Sequence, residues 1–328
     1  MLKHLRTALM GCAALTAAAP TLAQQSPDRH AMAVILLGTK GGPVADPERS
    51  EPASLLVIDG MPYLIDAGEG TARQLATAGY QPADIHRIFI THHHLDHTAG
   101  LEPLIGLSWI GAGLAGRSDK TEIYGPPATA ALVGAALDYV GISQRIFRAG
   151  IPSLPLAGTM FAAHDIAAPG VVYRDDHVRV TAVENSHFSH KSADAGGHSD
   201  MSLSYRFDSA GGSVVFTGDT GPSDAVAELA RGADLLVSEV YVPAPTAATN
   251  GAGAVDRQLA DHLTREHLTP EAVGRLAASA GVKAVLLTHM VASPDRNLAR
   301  QLRERIGKFY AGPVIVGHDL LTYQFPIR

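Results

Sequence analysis

The run His92-His93-His94-Leu95-Asp96-His97 constrains this chain more than any other feature of its sequence. Five ligand-type side chains in six positions are costly to bury unless something partners their nitrogens and oxygens. The run follows the apolar segment Arg87-Ile88-Phe89-Ile90, which reads as a buried strand, and precedes Gly100. Alternate residues at a strand end share a face, so His92 and His94 can grip one metal ion. Asp96 and His97 lie where the chain turns toward a helix and can reach a second ion. His93 faces the other way and is expected to support the site from behind or to be exposed. Histidine nitrogen and carboxylate oxygen are the ligands expected at catalytic zinc.

Three residues downstream stand where such a site needs them, each just after an apolar strand. Sites in α/β proteins collect beyond the carboxyl ends of strands. His187 can complete three histidines around the first ion and is favoured over the nearby His190 and His198. Asp219, in Phe216-Thr217-Gly218-Asp219-Thr220, can bridge both ions; its competing role is to cap a helix starting near Pro222. His289, after Leu286-Leu287-Thr288, can complete the second ion's set. It is favoured over His318, which also follows an apolar strand and whose role at that ion stays open.

Cysteine takes no part in this chemistry. The only one among 328 residues is Cys12. It lies in a stretch with Lys3 and Arg6 at its start, a small apolar run from Thr7 to Ala19, and Thr21-Leu22-Ala23 as a small-x-small cleavage site. That is the pattern of a secretory signal peptide over residues 1 to 23, too short to be a comfortable membrane span. The mature chain, 24 to 328, is then expected in the periplasm or secreted, free of the membrane, and without thiol or disulfide. It would carry 24 basic against 32 acidic residues, a net charge of −8. With no cluster of lysine or arginine, such a chain is poorly suited to a polyanion, and no nucleic-acid partner is expected.

The remaining pattern is that of one α/β domain. Strands are predicted over 34–37, 54–59, 62–66, 87–90, 122–124, 178–183, 201–207, 213–216, 234–238, 282–287 and 313–316. Helices are predicted over 71–79, 127–140, 222–230, 269–279 and 296–306. The stretches 105–116, rich in Gly and Ala, and 149–170 read as loops around a pocket.

The whole set resembles the metallo-β-lactamase superfamily. Leu64-Ile65-Asp66-Ala67-Gly68-Glu69-Gly70, then Ile90-Thr91-His92, is similar to the ribonuclease Z branch, as are Gly218-Asp219-Thr220, Ser238-Glu239 and His267-Leu268-Thr269-Pro270-Glu271. Gly41-Gly42-Pro43-Val44 and Gly317-His318-Asp319 look most like secreted arylsulfatase-like members of that branch. The resemblance implies a four-layer αββα sandwich and two Zn²⁺ per chain. It implies that Asp66 orients a ligand histidine, and that His267, before a helix, supplies a proton to the leaving group. It also implies a departure: ribonuclease Z carries a long tRNA-holding arm between His187 and Asp219, where this chain has only residues 188 to 218. On that ground tRNA processing is not expected.

The expected chemistry is hydrolysis of a small-molecule ester by hydroxide shared between two zinc ions, with Asp96 and His267 as catalytic side chains. Sulfate and phosphate (di)esters come first. A lactonase or β-lactamase-like ester or amide hydrolase is the alternative, and a non-catalytic periplasmic metal-binding protein a third; a homodimer fits any of these.

Overall fold

In the computed structural model the described residues are 31–188, 200–243, 254–292 and 296–326. The expected signal peptide lies outside them, as do His190 and His198. Strands β1 (Met32–Gly38) and β2 (Ala53–Ile58) are buried on both faces. Val34, Leu36, Leu56 and Ile58 enter one apolar cluster; Leu37, Leu55 and Val57 enter another. Alternate side chains do this when a sheet is covered on both sides.

The chain continues through β3 (Met61–Ile65), α1 (Thr71–Thr77), β4 (Arg87–Phe89), α2 (Leu95–Thr98), α3 (Leu101–Leu114), β5 (Thr121–Gly125), α4 (Thr129–Gly150) and β6 (Phe161–Asp165). A second half follows: β7 (Gly170–Arg174), β8 (Val178–Glu184), β9 (Leu203–Ser209), β10 (Gly212–Phe216), α5 (Asp224–Leu229), β11 (Leu235–Tyr241), α6 (Ala254–Glu266), α7 (Pro270–Ala280), β12 (Val285–Val291), α8 (Leu298–Ile306), β13 (Val314–Val316) and β14 (Thr322–Gln324). One sheet has the order β14-β1-β2-β3-β4-β5-β6, the other β13-β12-β11-β10-β9-β8-β7. In each, pairing is antiparallel up to β3 or β10 and parallel beyond it.

Three apolar clusters hold four layers together. Leu75, Trp109 and Val133 of α1, α3 and α4 cover the outer face of the first sheet. Phe89, Phe207, Val214 and Leu286 belong to the cluster between the sheets. Val226, Val273 and Leu302 of α5, α7 and α8 cover the second. This is the αββα sandwich expected. The parallel strands β4, β10 and β12 end on one edge, where Asp66, after β3, also lies.

The middle of the chain departs from expectation. Residues 105–116, read as a loop, belong mostly to α3, with Leu104, Ile105, Ser108 and Trp109 buried. Its glycines serve close packing: a Cβ on Gly113 would lie 2.9 Å from Leu154 Cδ2. The other stretch read as loop, 149–170, holds the end of α4 and all of β6. Helix α6 and strands β7 and β14 were not expected either. No helix among the described residues is long and apolar enough to cross a membrane.

Candidate metal centre

The turn after β4 is built by close backbone approach. Gly68 N–H donates to Pro52 O at 3.0 Å, and a Cβ on Gly68 would lie 2.3 Å from Asp96 O. This explains the small residue two places after Asp66, because the Asp66 loop and the histidine turn touch through their backbones. Asp66 is held at φ 60, a costly conformation for a non-glycine residue. There its carboxylate accepts from Thr91 N at 2.7 Å, from Thr91 Oγ1 at 2.9 Å and pairs with His97 Nδ1 at 2.9 Å. The histidine's other nitrogen, Nε2, is thereby aimed into the site, the orienting role expected of Asp66.

A β-bulge shapes the opposite wall. β11 and β12 pair Ser238 with Leu287, then Val240 with Met290, so Glu239 faces two residues, Thr288 and His289. Bulges re-aim side chains. His289 takes φ 41 and brings Nε2 to 3.0 Å from Asp219 Oδ2 and 3.3 Å from Asp96 Oδ2. Glu239, buried within β11, places Oε2 2.6 Å from His267 Nδ1 and accepts Thr220 N–H at 2.8 Å through Oε1.

Among the described residues three groups offer converging ligand atoms, all within 4.8 Å of one another in each group. His92, His94, His187 and Asp219 form one; Asp96, His97 and His289 form the second; Asp219, Glu239, His267 and His289 form the third. Every residue expected to hold metal is therefore in the first two, with Asp219 central. Its Oδ1 is 3.4 Å from His97 Nε2, and its Oδ2 is 3.9 Å from both His92 Nε2 and His187 Nε2. His187 Nδ1 is spent on Glu266 O at 2.9 Å, which leaves Nε2 for the site, 3.1 Å from His94 Nδ1. The third group reflects the Glu239–His267 pair. In that pair Nδ1 of His267 is already taken by a carboxylate.

The donor set fits metal ions by a direct test. Buried polar atoms nearly always have a hydrogen-bond partner. Among the described residues five buried side-chain atoms have none, and three of these, His92 Nε2, His97 Nε2 and Asp219 Oδ1, face one another in the site. Unsatisfied nitrogen and carboxylate oxygen concentrated in one cluster are what cations satisfy.

Other candidates fall elsewhere. Asp219 caps no helix: Ser223 caps α5, its side chain accepting from Val226 N. His318 is exposed, with Nδ1 bonded to Asp319 O, and joins none of the three groups. His93 turns away and bonds Thr129 Oγ1 at 2.9 Å, tying the turn to α4. Glu239 is the site residue that the sequence reading gave no role. Its signal was a carboxylate inside the apolar run Leu235-Leu236-Val237-Ser238-Glu239-Val240, a type almost never fully buried without a partner.

Electrostatics set a testable proton balance. Burial alone would lower the pKa of His289, but Asp219 and Asp96 outweigh it and raise it to about 10. His97 is likewise held above its ordinary value against burial, by Asp219 and Asp66. His187 goes the other way, lowered by burial to about 3. Metal ligation needs neutral imidazole. His187 is already neutral near neutral pH, whereas His97 and His289 must each lose a proton. Zinc titrated into metal-free protein should therefore release about one to two protons per chain, and its apparent affinity should rise from about pH 6 to 8. Calorimetry in buffers of different ionisation enthalpy measures this; affinity independent of pH would overturn it.

Comparison with known proteins agrees with this geometry. The beta-lactamase superfamily domain matches residues 62–290. Ribonuclease Z of Mycobacterium avium is 30% identical over 293 residues, covering 89% of this chain and 97% of that protein. The crystal structure of the metallo-beta-lactamase fold protein YhfI from Bacillus subtilis superposes with a TM-score of 0.65 at 21% identity, over 90% of this chain and 99% of that one. Human short-form tRNase Z gives 0.60 at 22%, over 90% and 100%.

These relatives correct one expectation. Charge and the short 188–218 interval pointed away from any nucleic-acid partner, yet the chain aligns with nearly the full length of a protein named ribonuclease Z. Net charge averages over a whole surface, whereas a cleft acts through its local groups and bound cations. It was therefore a poor ground for exclusion.

Proposed function

Since the chain belongs to the metallo-β-lactamase superfamily, in its ribonuclease Z-like branch, we propose that it is a two-zinc hydrolase of phosphodiester bonds. That it is a metal-dependent hydrolase goes with the family; the bond, the zinc and the count of two are our reading. The observation carrying it is the pairing of two ligand groups through Asp219 with a buried His267–Glu239 couple beside them. Simple metal storage has no use for that couple.

His92, His94 and His187 would hold one ion, Asp96, His97 and His289 the other, and Asp219 both. Two zinc ions there would activate water near neutral pH and neutralise charge on the phosphoryl oxygens. Asp66 keeps His97 in the productive tautomer, and Glu266 O does the same for His187. Asp96 is further fixed by Gly42 N–H at 2.9 Å. Burial would lower the pKa of His267, but Glu239 outweighs it and raises it, which favours the protonated ring. Nδ1 faces Glu239 and His267 lines the open cleft, so Nε2–H is the group to protonate a departing alkoxide.

The substrate reading is supported by the relatives' name and by this proton donor. A panel of bis(4-nitrophenyl) phosphate, an aryl sulfate, a homoserine lactone, nitrocefin and a precursor RNA tests it on zinc-loaded protein. One or both phosphodiesters should be turned over with a kcat/KM at least about tenfold above the rest, a transition-state preference of about 1.4 kcal/mol. A higher kcat/KM for lactone, nitrocefin or sulfate would overturn the proposal. The predicted leader makes export to the periplasm part of the same proposal.

A further inference from the structure

The cleft over the metal centre has a volume of about 560 Å³, within the ~300–1,000 Å³ of small-molecule pockets and far more than one phosphate group fills. His94, Asp96, Asp219, His267 and His289 form its floor, and Val44 (73% exposed) and Leu95 (66% exposed) stand on its rim. Among the described residues lining it, Lys40 is the only lysine or arginine.

Lys40 is firmly placed at the backbone and loosely held at its tip. Its N–H donates to Ser50 O at 3.0 Å, and it bridges to Met290 beside His289. Gly41 and Gly42 follow. A Cβ on Gly41 would lie 2.7 Å from His289 Nδ1, and Gly42 N–H reaches Asp96. The loop is thus laid directly against two residues of the second ligand group. The ammonium has no ion pair among the described residues and folds back on the carbonyls of Gly41 and Gly42. It is half-buried, and burial, then Arg49, lower its pKa against the opposing charges of Asp46, Asp96 and Glu51. Among the described residues none of these carboxylates is within ion-pair distance of the ammonium, so an anion from outside could replace its carbonyl partners.

The scissile phosphoryl group would not need it, because metal held by the two ligand groups, together with His267, would serve that group. We propose that Lys40 recognises a second phosphate, carried by a nucleotide substrate beside the scissile phosphodiester. This rests on the phosphodiester reading above and names the substrate feature that would set specificity. The long stem lets the ammonium swing from its own loop to the ligand, exchanging neutral carbonyl partners for a charge-assisted hydrogen bond.

The test is equilibrium binding, by calorimetry, of a phosphorothioate-linked adenylyl dinucleotide with and without a terminal 5′-phosphate. Zinc-loaded wild type, Lys40→Gln and Lys40→Arg are compared. Wild type should prefer the phosphorylated ligand by about tenfold or more, the order given by one charged hydrogen bond. Lys40→Gln should reduce that preference to about twofold or less, and Lys40→Arg should keep most of it. The ratio is taken within each protein, so a general loss of folded or metal-loaded protein cancels. No preference in wild type, or the same preference in Lys40→Gln, would overturn the proposal. Binding needs no turnover. A protein that hydrolysed no phosphodiester would therefore remove the functional reading, while this ratio still decided the role of Lys40.

Discussion

Asp219→Ala should lose both zinc and activity on every substrate. Asp219 is buried and lies within 4 Å of His92, His97, His187, His267 and His289, so no other carboxylate can stand in for it. Removing it leaves imidazoles converging on a site without its central anion. Loss of a residue that merely supports a ligand typically costs about 10–100-fold in metal affinity or activity. Loss of a shared ligand should exceed the upper end of that range and take metal content from about two zinc ions per chain to below one. Asp219→Asn, nearly the same shape with one oxygen replaced by an amide, should fall between and keep a single ion. Elemental analysis finding a full complement in Asp219→Ala would reject the bridging role, whatever the activity did.

The residues that converge in this cluster were legible because they obey strand geometry. His92 and His94 are two apart at the end of β4, and His187, Asp219 and His289 each follow an apolar run. His289 won over His318 for a reason the sequence does not carry. Both follow apolar segments, but β12 lies inside its sheet and has the bulge that turns His289 inward, while β13 is the edge strand and His318 stays in solvent. Lys40 was passed over because the neighbouring run Gly41-Gly42-Pro43-Val44 was read only for its family resemblance. Only the fold shows that this segment, far from His289 along the chain, lies against it.

Most of what was misread in the fold shares one cause, helix α6 apart. Periodicity identifies elements that have one dry and one wet face. Helix α3 is apolar and glycine-rich nearly all round, wedged among α1, α4 and the first sheet, so it offers no such contrast. Strands β6, β7 and β14 are short and partly exposed at or near sheet edges, where alternation has little length in which to show. The exclusion of nucleic acid failed differently. It inferred a partner from total charge, the lack of a basic cluster and the short 188–218 interval, although the cleft gathers His94, Asp96, His267, His289 and Lys40 whatever the rest of the surface carries.

His267→Ala should separate proton supply from metal binding. The ring lies against Glu239, not in either three-histidine or Asp96-centred group, so the variant should keep both zinc ions. A departing alkoxide is a strong base and needs a proton as the bond breaks, whereas 4-nitrophenolate is already stable. General acid catalysis contributes typically ~10²–10⁴-fold where it is required. The variant should therefore lose on that order with alkyl or ribose leaving groups, and much less with nitrophenyl esters. The pH profile should change with it. In the wild type Glu239 raises the pKa of His267 against burial and favours the acid form, so the rate on poor leaving groups should fall as pH rises through that pKa, and His267→Ala should lose this alkaline limb. His289→Ala should behave otherwise, losing metal and all activities together. A leaving-group series with zinc content measured beside it decides the matter. Equal losses across the series in His267→Ala would reject the acid role, and loss of zinc in that variant would move His267 from the proton to the metal, as the third ligand group allows.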